Sequence, residues 1–209
     1  MVEQGSPEWR ALRCGKVTAS RIADVTAKGR GGAPSAMRAN YLSQVVAERL
    51  TGVPQEDTFE SAAMAWGKKV EPDARAAYAF YHAKVELVAF VDHPVIAMSG
   101  CSPDGLVGDK GLAQFKCPNT ATHIATLRGA SIDGGYIKQM QWEMACTGRL
   151  WCDFVSYDPR MPEEMRLHVR RVARDSAMIV EIAAAVSEFQ AEVEAAVADL
   201  LTRFRAAAA

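Results

Sequence analysis

The sequence predicts an α/β (α+β) fold in which helices flank a small central mixed sheet. Capped, alanine-rich helical segments fill the chain up to about Tyr81, and short turn-bounded segments of strand composition follow between residues 84 and 172. From Asp175 onward, apolar residues recur at helical spacing. Because no linker interrupts the 209 residues, we expect one domain over residues 1–209.

Four helices are predicted ahead of the strands. Ser6 with Pro7 marks the start of the first helix and Ser35 that of the third, and Gly52 marks the end of the third, as is usual for helix caps. The predicted helices begin at Ser6–Pro7–Glu8 and at Thr18, run from Ser35 to about Thr51, and run from about Glu60 to Tyr81.

The middle of the chain predicts strands around an inserted helical region, from about Thr120 to Gly148. A hairpin turn at Gly108–Gly111 joins two of the strands. The predicted strand segments are residues 84–92, 94–100, 104–109, 111–118, 150–158 and 164–172. A long amphipathic helix then closes the chain.

Composition excludes several classes of protein. No apolar run approaches the roughly 20 residues of a membrane span, and the N-terminus lacks a signal-peptide core, so we expect a cytoplasmic protein. A net charge of −1 argues against a protein that coats DNA, although an enzyme can concentrate positive charge in one channel. Five cysteines without a C-x-x-C pair, and four scattered histidines, indicate reduced thiols and no zinc site.

The segment CSPDGLVGDKGLAQFKCP, residues 101–118, could carry chemistry. On a strand, Gln114 and Lys116 share one face and Phe115 the other, while Asp104 lies on the partner strand. A carboxylate, a polar side chain and a lysine that converge in this way suit Mg²⁺-dependent phosphodiester hydrolysis. A surface hairpin with an ordinary S-P-D-G turn explains the same residues, and spacing does not decide between them.

Five blocks of the chain resemble the lambda exonuclease group of phage recombination nucleases, within the PD-(D/E)xK superfamily. The blocks are EQGSPEWRALRCGKVTASRI, AWGKKVEPDAR, CSPDGLV with FKCP, YIKQMQWEM and YDPRM, and they follow the family's order. The resemblance implies a restriction-endonuclease-like core and a single nuclease domain over residues 1–209.

The resemblance also implies roles for individual residues. The metal would be held by Asp104, the residue at position 114, the main-chain carbonyl of Phe115 and the helix-borne Glu71. Lys116 matches the catalytic lysine, and Gln141, with Gln139 as the second candidate, matches the glutamine that places the attacking water. Arg13, Ser20 and Ser102 match a pocket for the 5′-terminal phosphate of DNA.

Three further positions are candidates for DNA contact. Lys28 and Arg30 in the glycine-rich loop could touch phosphates, although a solvated loop has the same composition. Met64, two helical turns before Glu71, could wedge between terminal bases, although such a methionine is more often core. Trp66 and Trp142 are expected to pack in the interior.

Gln114 departs from the family pattern, which has glutamate there. An amide can offer an oxygen but no negative charge, so the metal site should be weakened and activity severely reduced. Either the natural site is degenerate or the chain was altered to stall cleavage, and the presence of the other motif positions favours alteration.

The resemblance implies a Mg²⁺-dependent 5′→3′ exonuclease, with Mn²⁺ as a possible substitute, that acts on linear double-stranded DNA ends with a 5′-phosphate. It would leave 3′ single-stranded tails for phage recombination. Similar proteins are ring-shaped homotrimers that work with a single-strand annealing protein, here in the cytoplasm of a bacterial host. An inactive DNA-end binder and a restriction-type endonuclease remain alternatives.

Overall fold

The computed structural model describes residues 2–55 and 61–206, which fold into helices around two mixed sheets. The α-helices are α1 (Pro7–Arg13), α2 (Ile22–Val25), α3 (Ala36–Thr51), α4 (Ala62–Tyr81), α5 (Thr120–Leu127), α6 (Gly134–Thr147) and α7 (Ser176–Ala206). The strands are β1 (Val17–Thr18), β2 (Val85–Glu86), β3 (Val91–Asp92), β4 (Ser99–Cys101), β5 (Gly105–Val107), β6 (Gly111–Lys116), β7 (Trp151–Tyr157) and β8 (Leu167–Ala173).

The larger sheet has five strands in the order β2-β5-β6-β7-β8. β6 pairs antiparallel with β5 and parallel with β7, so the sheet is mixed as predicted. A three-stranded sheet, in the order β1-β4-β3, lies beside it. The predicted α+β class is therefore confirmed, with two sheets in place of one.

Two helices cover opposite faces of the five-stranded sheet. On one face, Val70 and Tyr78 of α4 pack against Phe115 of β6. On the other face, Met140 and Met144 of α6 pack against Leu112, Cys152 and Phe154. Side chains alternate along a strand, so successive residues of β6 point at different helices.

The predicted closing helix is confirmed as α7. Its apolar stripe packs against α2 and α3, with Val186 and Phe189 buried beside Tyr41 and Val45. No helix among residues 2–55 and 61–206 is long and apolar enough to cross a membrane. The cysteines are free thiols as predicted, and four of them are buried.

Three predicted elements were wrong in detail. Thr18 lies in β1, and the helical turns begin after it. Most of residues 94–100 forms a turn, because His93 Nδ1 accepts hydrogen bonds from the backbone N–H groups of Val95 and Ile96. Segment 84–92 likewise divides into β2 and β3, which join different sheets.

The boundaries of two helical segments also differ from the prediction. α4 begins at Ala62, and Glu60, the predicted start, lies outside the described residues. The predicted helix from Thr120 to Gly148 is two helices, capped separately by the side chains of Asn119 and Asp133. The second of these, α6, faces the hairpin of β5 and β6.

Candidate active site

The hairpin of β5 and β6 is closed by Asp104, which lies just before β5. Its Oδ2 accepts a hydrogen bond from the backbone N–H of Phe115 at 2.8 Å and another from the side-chain amide of Gln114. The structure therefore brings Asp104 and Gln114 into direct contact, as the sequence predicted.

The side chains of Gln114 and Lys116 lie on one face of β6, and that of Phe115 lies on the other. Phe115 packs edge-on against Tyr78 of α4, with ring centroids 5.7 Å apart. Lys116 points towards α6 instead, where its Nζ lies 4.5 Å from the centre of the Tyr136 ring. Gln114 contacts the same helix through Gln139.

The assignment of the glutamine on α6 has to be corrected. Gln141 lies away from the hairpin: its amide donates to Ala173 O at 2.9 Å, and its Oε1 accepts from the N–H of Asp175. Gln139 is the residue that meets Gln114, since its Nε2 donates to Gln114 Oε1 at 3.2 Å. Residues two apart on a helix point in different directions, so only one can reach β6.

Glu143 is a fully buried acid that sequence reasoning did not single out. It lies one helical turn after Gln139 and its exposed fraction is 0%. Its Oε1 accepts from Gln139 Nε2 at 2.9 Å, and its Oε2 is buried without a hydrogen-bond partner among the described residues. A continuous path of polar contacts thus runs from Asp104 through Gln114 and Gln139 to Glu143.

Burial raises the pKa of both acids. Burial raises the pKa of Asp104 to about 6, with a contribution from Glu71 that Lys116 opposes. Burial likewise raises the pKa of Glu143 to about 8, and the Asp104 carboxylate adds to this. Each acid therefore carries its negative charge at a cost in free energy.

Glu71 lies on α4 and forms an ion pair with Arg75, whose Nη2 is 2.6 Å from Glu71 Oε1. Its charge also raises the pKa of Asp104. Gly67, one turn earlier on the same helix face, has open space where a side chain would begin. Glu71 is therefore near the hairpin, and its place as a metal ligand stays a prediction.

The predicted phosphate-pocket residues lie together. Arg13 Nη1 is 3.4 Å from Ser102 Oγ, and Arg13 Nη2 is 3.4 Å from Ser20 Oγ. Arg13 Nη2 also donates to Thr18 Oγ1 at 3.2 Å, and the guanidinium stacks over Trp9 at 4.3 Å. A guanidinium held among hydroxyl groups suits a phosphate, which accepts from both.

The other predicted DNA contacts are exposed or lie in loops. Lys28 is exposed beside Gly29, and the backbone of Arg30 lies in a short 3-10 turn. Met64 is 51% exposed near the start of α4, so it is not a core residue. Contacts of all three with DNA stay predictions.

Both tryptophans pack against the core as predicted, Trp142 fully buried and Trp66 partly buried. Trp142 is fully buried and stacks on His93, with ring centroids 4.6 Å apart. Trp66 packs against the core beneath α4, and the guanidinium of Arg160 lies 4.4 Å from its ring.

A cleft of about 1160 Å³ connects Arg13 with Asp104. Its walls are the N-terminal segment, with Thr18 and Arg21, and the face of α4 that carries Glu71 and Arg75. Basic side chains line it from both walls: Arg10, Arg13, Lys16 and Arg21 from the N-terminal segment, and Lys68 and Arg75 from α4. Four acidic side chains line the cleft too, namely Glu3, Glu48, Glu71 and Asp104. Six basic side chains against four acidic ones leave a formal excess of two positive charges in the cleft of a chain whose net charge is −1.

The sequence that forms this cleft matches a known protein family. The YqaJ-like viral recombinase domain matches residues 8–150, which carry α1 to α6 and the Asp104 hairpin. The chain belongs to this family. The comparison with curated proteins gave no significant match.

Solved structures of exonucleases are similar to this chain, which is consistent with its family. The YqaJ-like domain is similar to an alkaline exonuclease (LHK-Exo) from Laribacter hongkongensis, at 49% identity and a TM-score of 0.88, over 98% of this chain and 100% of that one. A structure of LHK-Exo in complex with dAMP matches equally well. A phage-related exonuclease from Haemophilus somnus 129PT, at 16% identity and a TM-score of 0.66 over 88% of this chain and 96% of that one, shares the fold. The predicted resemblance to lambda exonuclease-like proteins is therefore confirmed.

The residues of the YqaJ-like domain fit a hard divalent cation. Among the described residues, no group of three His, Cys, Asp or Glu side chains is arranged around one point. Mg²⁺ does not need such a group, because it binds through one or two carboxylates and keeps several waters. Asp104 and Glu143 are two carboxylates joined by contacts through Gln114 and Gln139, and Glu143 Oε2 has no hydrogen-bond partner among the described residues, so this part of the site has the number and type of oxygen ligands that such a cation needs.

Two residues at the candidate site of the YqaJ-like domain were not predicted, and the sequence carries a signal for one of them, Glu143. Glu143 is an acid within the helix run 140–146, and every residue of that run is buried. A charged residue in an apolar run is uncommon and is a signal in itself. Thr18, two residues from Ser20, offered no signal beyond its hydroxyl group.

Proposed function

We propose that this domain is a Mg²⁺-dependent 5′→3′ exonuclease that acts on linear double-stranded DNA ends. Mn²⁺ would substitute for Mg²⁺, since both prefer oxygen ligands. The products would be duplexes with 3′ single-stranded tails, the substrates of recombination by strand annealing. The 49% identity to an alkaline exonuclease and the viral recombinase family both support a nuclease role in recombination.

One observation carries the proposal: the Arg13 pocket and the Asp104 hairpin open onto the same basic cleft. Ser102, which contacts Arg13, and Asp104, which closes the hairpin, are two residues apart in the chain. A terminal phosphate at Arg13 would therefore lie close to Asp104 and Lys116. An enzyme that binds a 5′-terminal phosphate and hydrolyses the neighbouring phosphodiester needs its phosphate pocket close to its catalytic residues.

The chain's own residues would divide the work of hydrolysis. A bound Mg²⁺ supplies Lewis acidity towards the phosphoryl oxygen and acidifies a coordinated water. Asp104 with its neighbouring oxygens would hold the cation, and Lys116 would stabilise the negative charge that develops on the phosphate. Gln139, which contacts Gln114, would orient the attacking water, the role that the family resemblance suggested for Gln141.

The direction of digestion would follow from Arg13. A 5′-terminal monophosphate carries more negative charge than an internal phosphodiester, so a guanidinium with two hydroxyl groups favours the terminus. Binding one end in this pocket places the first phosphodiester of the same strand at the hairpin, which gives 5′→3′ polarity.

The proposal is tested by digesting 5′-phosphorylated linear duplex in the presence of Mg²⁺. The shortening of each strand is monitored through its own end label. The proteins compared are the parent protein, which has Gln114, the Gln114→Glu variant and the Lys116→Ala variant. Loss of the 5′-labelled strand ahead of its complement is expected, and Lys116→Ala should be inactive. Absence of Mg²⁺-dependent digestion in both the chain as given and Gln114→Glu would rule out the nuclease assignment.

A second candidate function is favoured by Gln114 alone, which puts an amide where the family pattern has a carboxylate. The protein would then be a DNA-end binder without cleavage activity. Binding of a 5′-phosphorylated end by the chain as given, with digestion only by Gln114→Glu, would favour this candidate.

The proposal extends to assembly. A chain of this size cannot surround a duplex alone, so we infer a homotrimeric ring that threads DNA, working with a single-strand annealing protein in the host cytoplasm.

A further inference from the structure

Glu143 has few hydrogen bonds for a buried carboxylate. Its carboxylate is fully buried, yet it receives one hydrogen bond, from Gln139, and its Oε2 has no partner in the described structure. Its neighbours Trp142 and Met144 are buried and apolar. A buried carboxylate with an unsatisfied oxygen lowers the stability of the folded state, so a hydrophobic or amide residue would suit the interior better.

Gln139 connects this carboxylate to position 114. The same atom, Gln139 Nε2, donates to Gln114 Oε1 at 3.2 Å and to Glu143 Oε1 at 2.9 Å. The side-chain amide nitrogen of a glutamine carries two N–H groups, so Gln139 can donate to both oxygens at once. The side-chain ends of residues 114 and 143 are therefore bridged by a single atom, although one is on β6 and the other on α6.

The chain thus has an amide and a carboxylate at a place where the family pattern needs one carboxylate. A glutamate at 114 with a neutral residue at 143 would give the same formal charge as Gln114 with Glu143. Glutamate and glutamine are nearly isosteric, so exchanging the two residues conserves volume as well as charge.

We propose that Glu143 supplies the metal-binding carboxylate that position 114 lacks, so that the cation is held between Asp104 on the hairpin and Glu143 on α6. This inference rests on the proposed nuclease function, and it replaces the expectation, drawn from Gln114 alone, that the chain is nearly inactive. Gln114 then orients Asp104 through its amide and contributes an oxygen at most.

Cation binding is the first test, because it does not depend on turnover. Mn²⁺ binding is measured by electron paramagnetic resonance for the chain as given, Glu143→Gln, and the exchanged variant Gln114→Glu/Glu143→Gln. Glu143→Gln should weaken binding by about 10- to 100-fold or more, and the exchange should restore it. Glu181→Gln, which removes an exposed acid from α7, is the charge control and should bind as the parent does.

Thermal unfolding without metal separates a ligand from a structural residue. Glu143→Gln should unfold at the same temperature as the parent or higher, because an uncharged amide replaces a buried ionisable carboxylate. Added Mn²⁺ should raise the unfolding temperature of the parent and not that of Glu143→Gln. A lower unfolding temperature together with unchanged Mn²⁺ binding would overturn the proposal.

Digestion of linear duplex distinguishes failure of this inference from failure of the nuclease function. Activity in the parent and the exchanged variant, with none in Glu143→Gln, is the expected pattern. Equal activity in the parent and Glu143→Gln, or activity only in variants with Glu at 114, overturns the inference and leaves the function standing. No digestion by any variant, despite Mn²⁺ binding, overturns the nuclease function.

Discussion

At the scale of single residues, Arg13 holds its guanidinium between hydroxyl groups from separate parts of the chain, Ser20 and Ser102. We predict that Arg13→Ala lowers kcat/KM on 5′-phosphorylated ends by about 10- to 100-fold, because a charge-assisted hydrogen bond contributes about 1.5–3 kcal/mol. The preference for a 5′-phosphate over a 5′-hydroxyl end should disappear. Steady-state digestion of the two substrates measures this.

Two further arginine variants make that prediction specific. Arg13→Lys keeps the charge but loses the planar fork, so it should recover only part of the preference. Arg203→Ala, on the exposed side of α7, removes an arginine that pairs with Asp199 and should leave the preference intact. A phosphate preference that survives Arg13→Ala would place the 5′ end elsewhere.

Asp158, just after β7, is a buried acid with a structural role. Burial alone would raise its pKa, but hydrogen bonds from Arg160 and Thr120 lower the pKa to about 2. An acid whose folded-state pKa is depressed stabilises the fold above its unfolded pKa, and this contribution is lost as the pH falls from about 4 towards 2.

We therefore predict that Asp158→Asn lowers the free energy of unfolding by about 2 kcal/mol at pH 7. The difference from the parent should shrink as the pH approaches 2, because the parent's own carboxylate becomes protonated. Urea unfolding at several pH values between 7 and 3 measures it. A difference that stays constant over this range would show that shape, and not charge, is what Asp158 contributes.

At the scale of single elements, two glycines on neighbouring helices should respond in opposite ways to alanine. Gly52 ends α3 with φ +68°, a left-handed conformation, and Gly67 lies within α4. Both have open space where a Cβ would stand. Gly52→Ala should destabilise by about 1 kcal/mol, whereas Gly67→Ala should stabilise by about 0.5–1 kcal/mol.

Chemical denaturation of the metal-free protein measures both changes. Gly67 also faces the side of α4 that carries Glu71, so a duplex in the cleft would approach it closely. Gly67→Ala should therefore bind duplex ends more weakly despite its greater stability. Unchanged DNA affinity would mean that the duplex does not approach this face of α4.

The elements that sequence could predict are those with strong local signals. Serine caps fixed the starts of α1 and α3, and the spacing from Ile179 to Val193 fixed the buried stripe of α7. Segment 94–100 has strand composition, but a turn made by the His93 ring overrides it. No local propensity encodes a side chain that bonds backbone groups two and three residues ahead.

Some contacts of the candidate site could be predicted from sequence motifs, and others depend on how the helices pack on the sheet. The contact of Asp104 with Gln114, and of Arg13 with the two serines, followed from motifs and strand alternation. The choice of Gln139 over Gln141 depends on the rotation of α6 against the sheet, which is a property of packing. Glu143 was missed because its relation to position 114 exists only once the helix lies on β6.

At the scale of the whole molecule, charge is distributed unevenly. The chain is nearly neutral, but basic residues line both walls of the cleft that contains Asp104. Binding of DNA should thus depend on a small group of contacts and fall with added salt.

We predict that the protein digests linear duplex but leaves covalently closed circular duplex intact, because the Arg13 pocket needs a terminus. It should sediment as a trimer, with three times the mass of one chain, since a ring is required to retain DNA between cycles. Gel analysis of both substrates and analytical ultracentrifugation test these two points. Nicking of closed circles would indicate a restriction-type endonuclease on the same core.

The bond from one Gln139 nitrogen to both Gln114 and Glu143 has an evolutionary consequence. Codons for glutamate and glutamine differ by one nucleotide. Two substitutions can therefore move the metal-binding carboxylate between position 114 on β6 and position 143 on α6. A lineage that first gains the second acid keeps a metal-binding carboxylate at every step, at the expense of some stability. A lineage that first loses the carboxylate at position 114, before Glu143 is present, keeps only the Asp104 side of the metal site and passes through an inactive protein. Mutational paths in this family should therefore run through the doubly acidic intermediate.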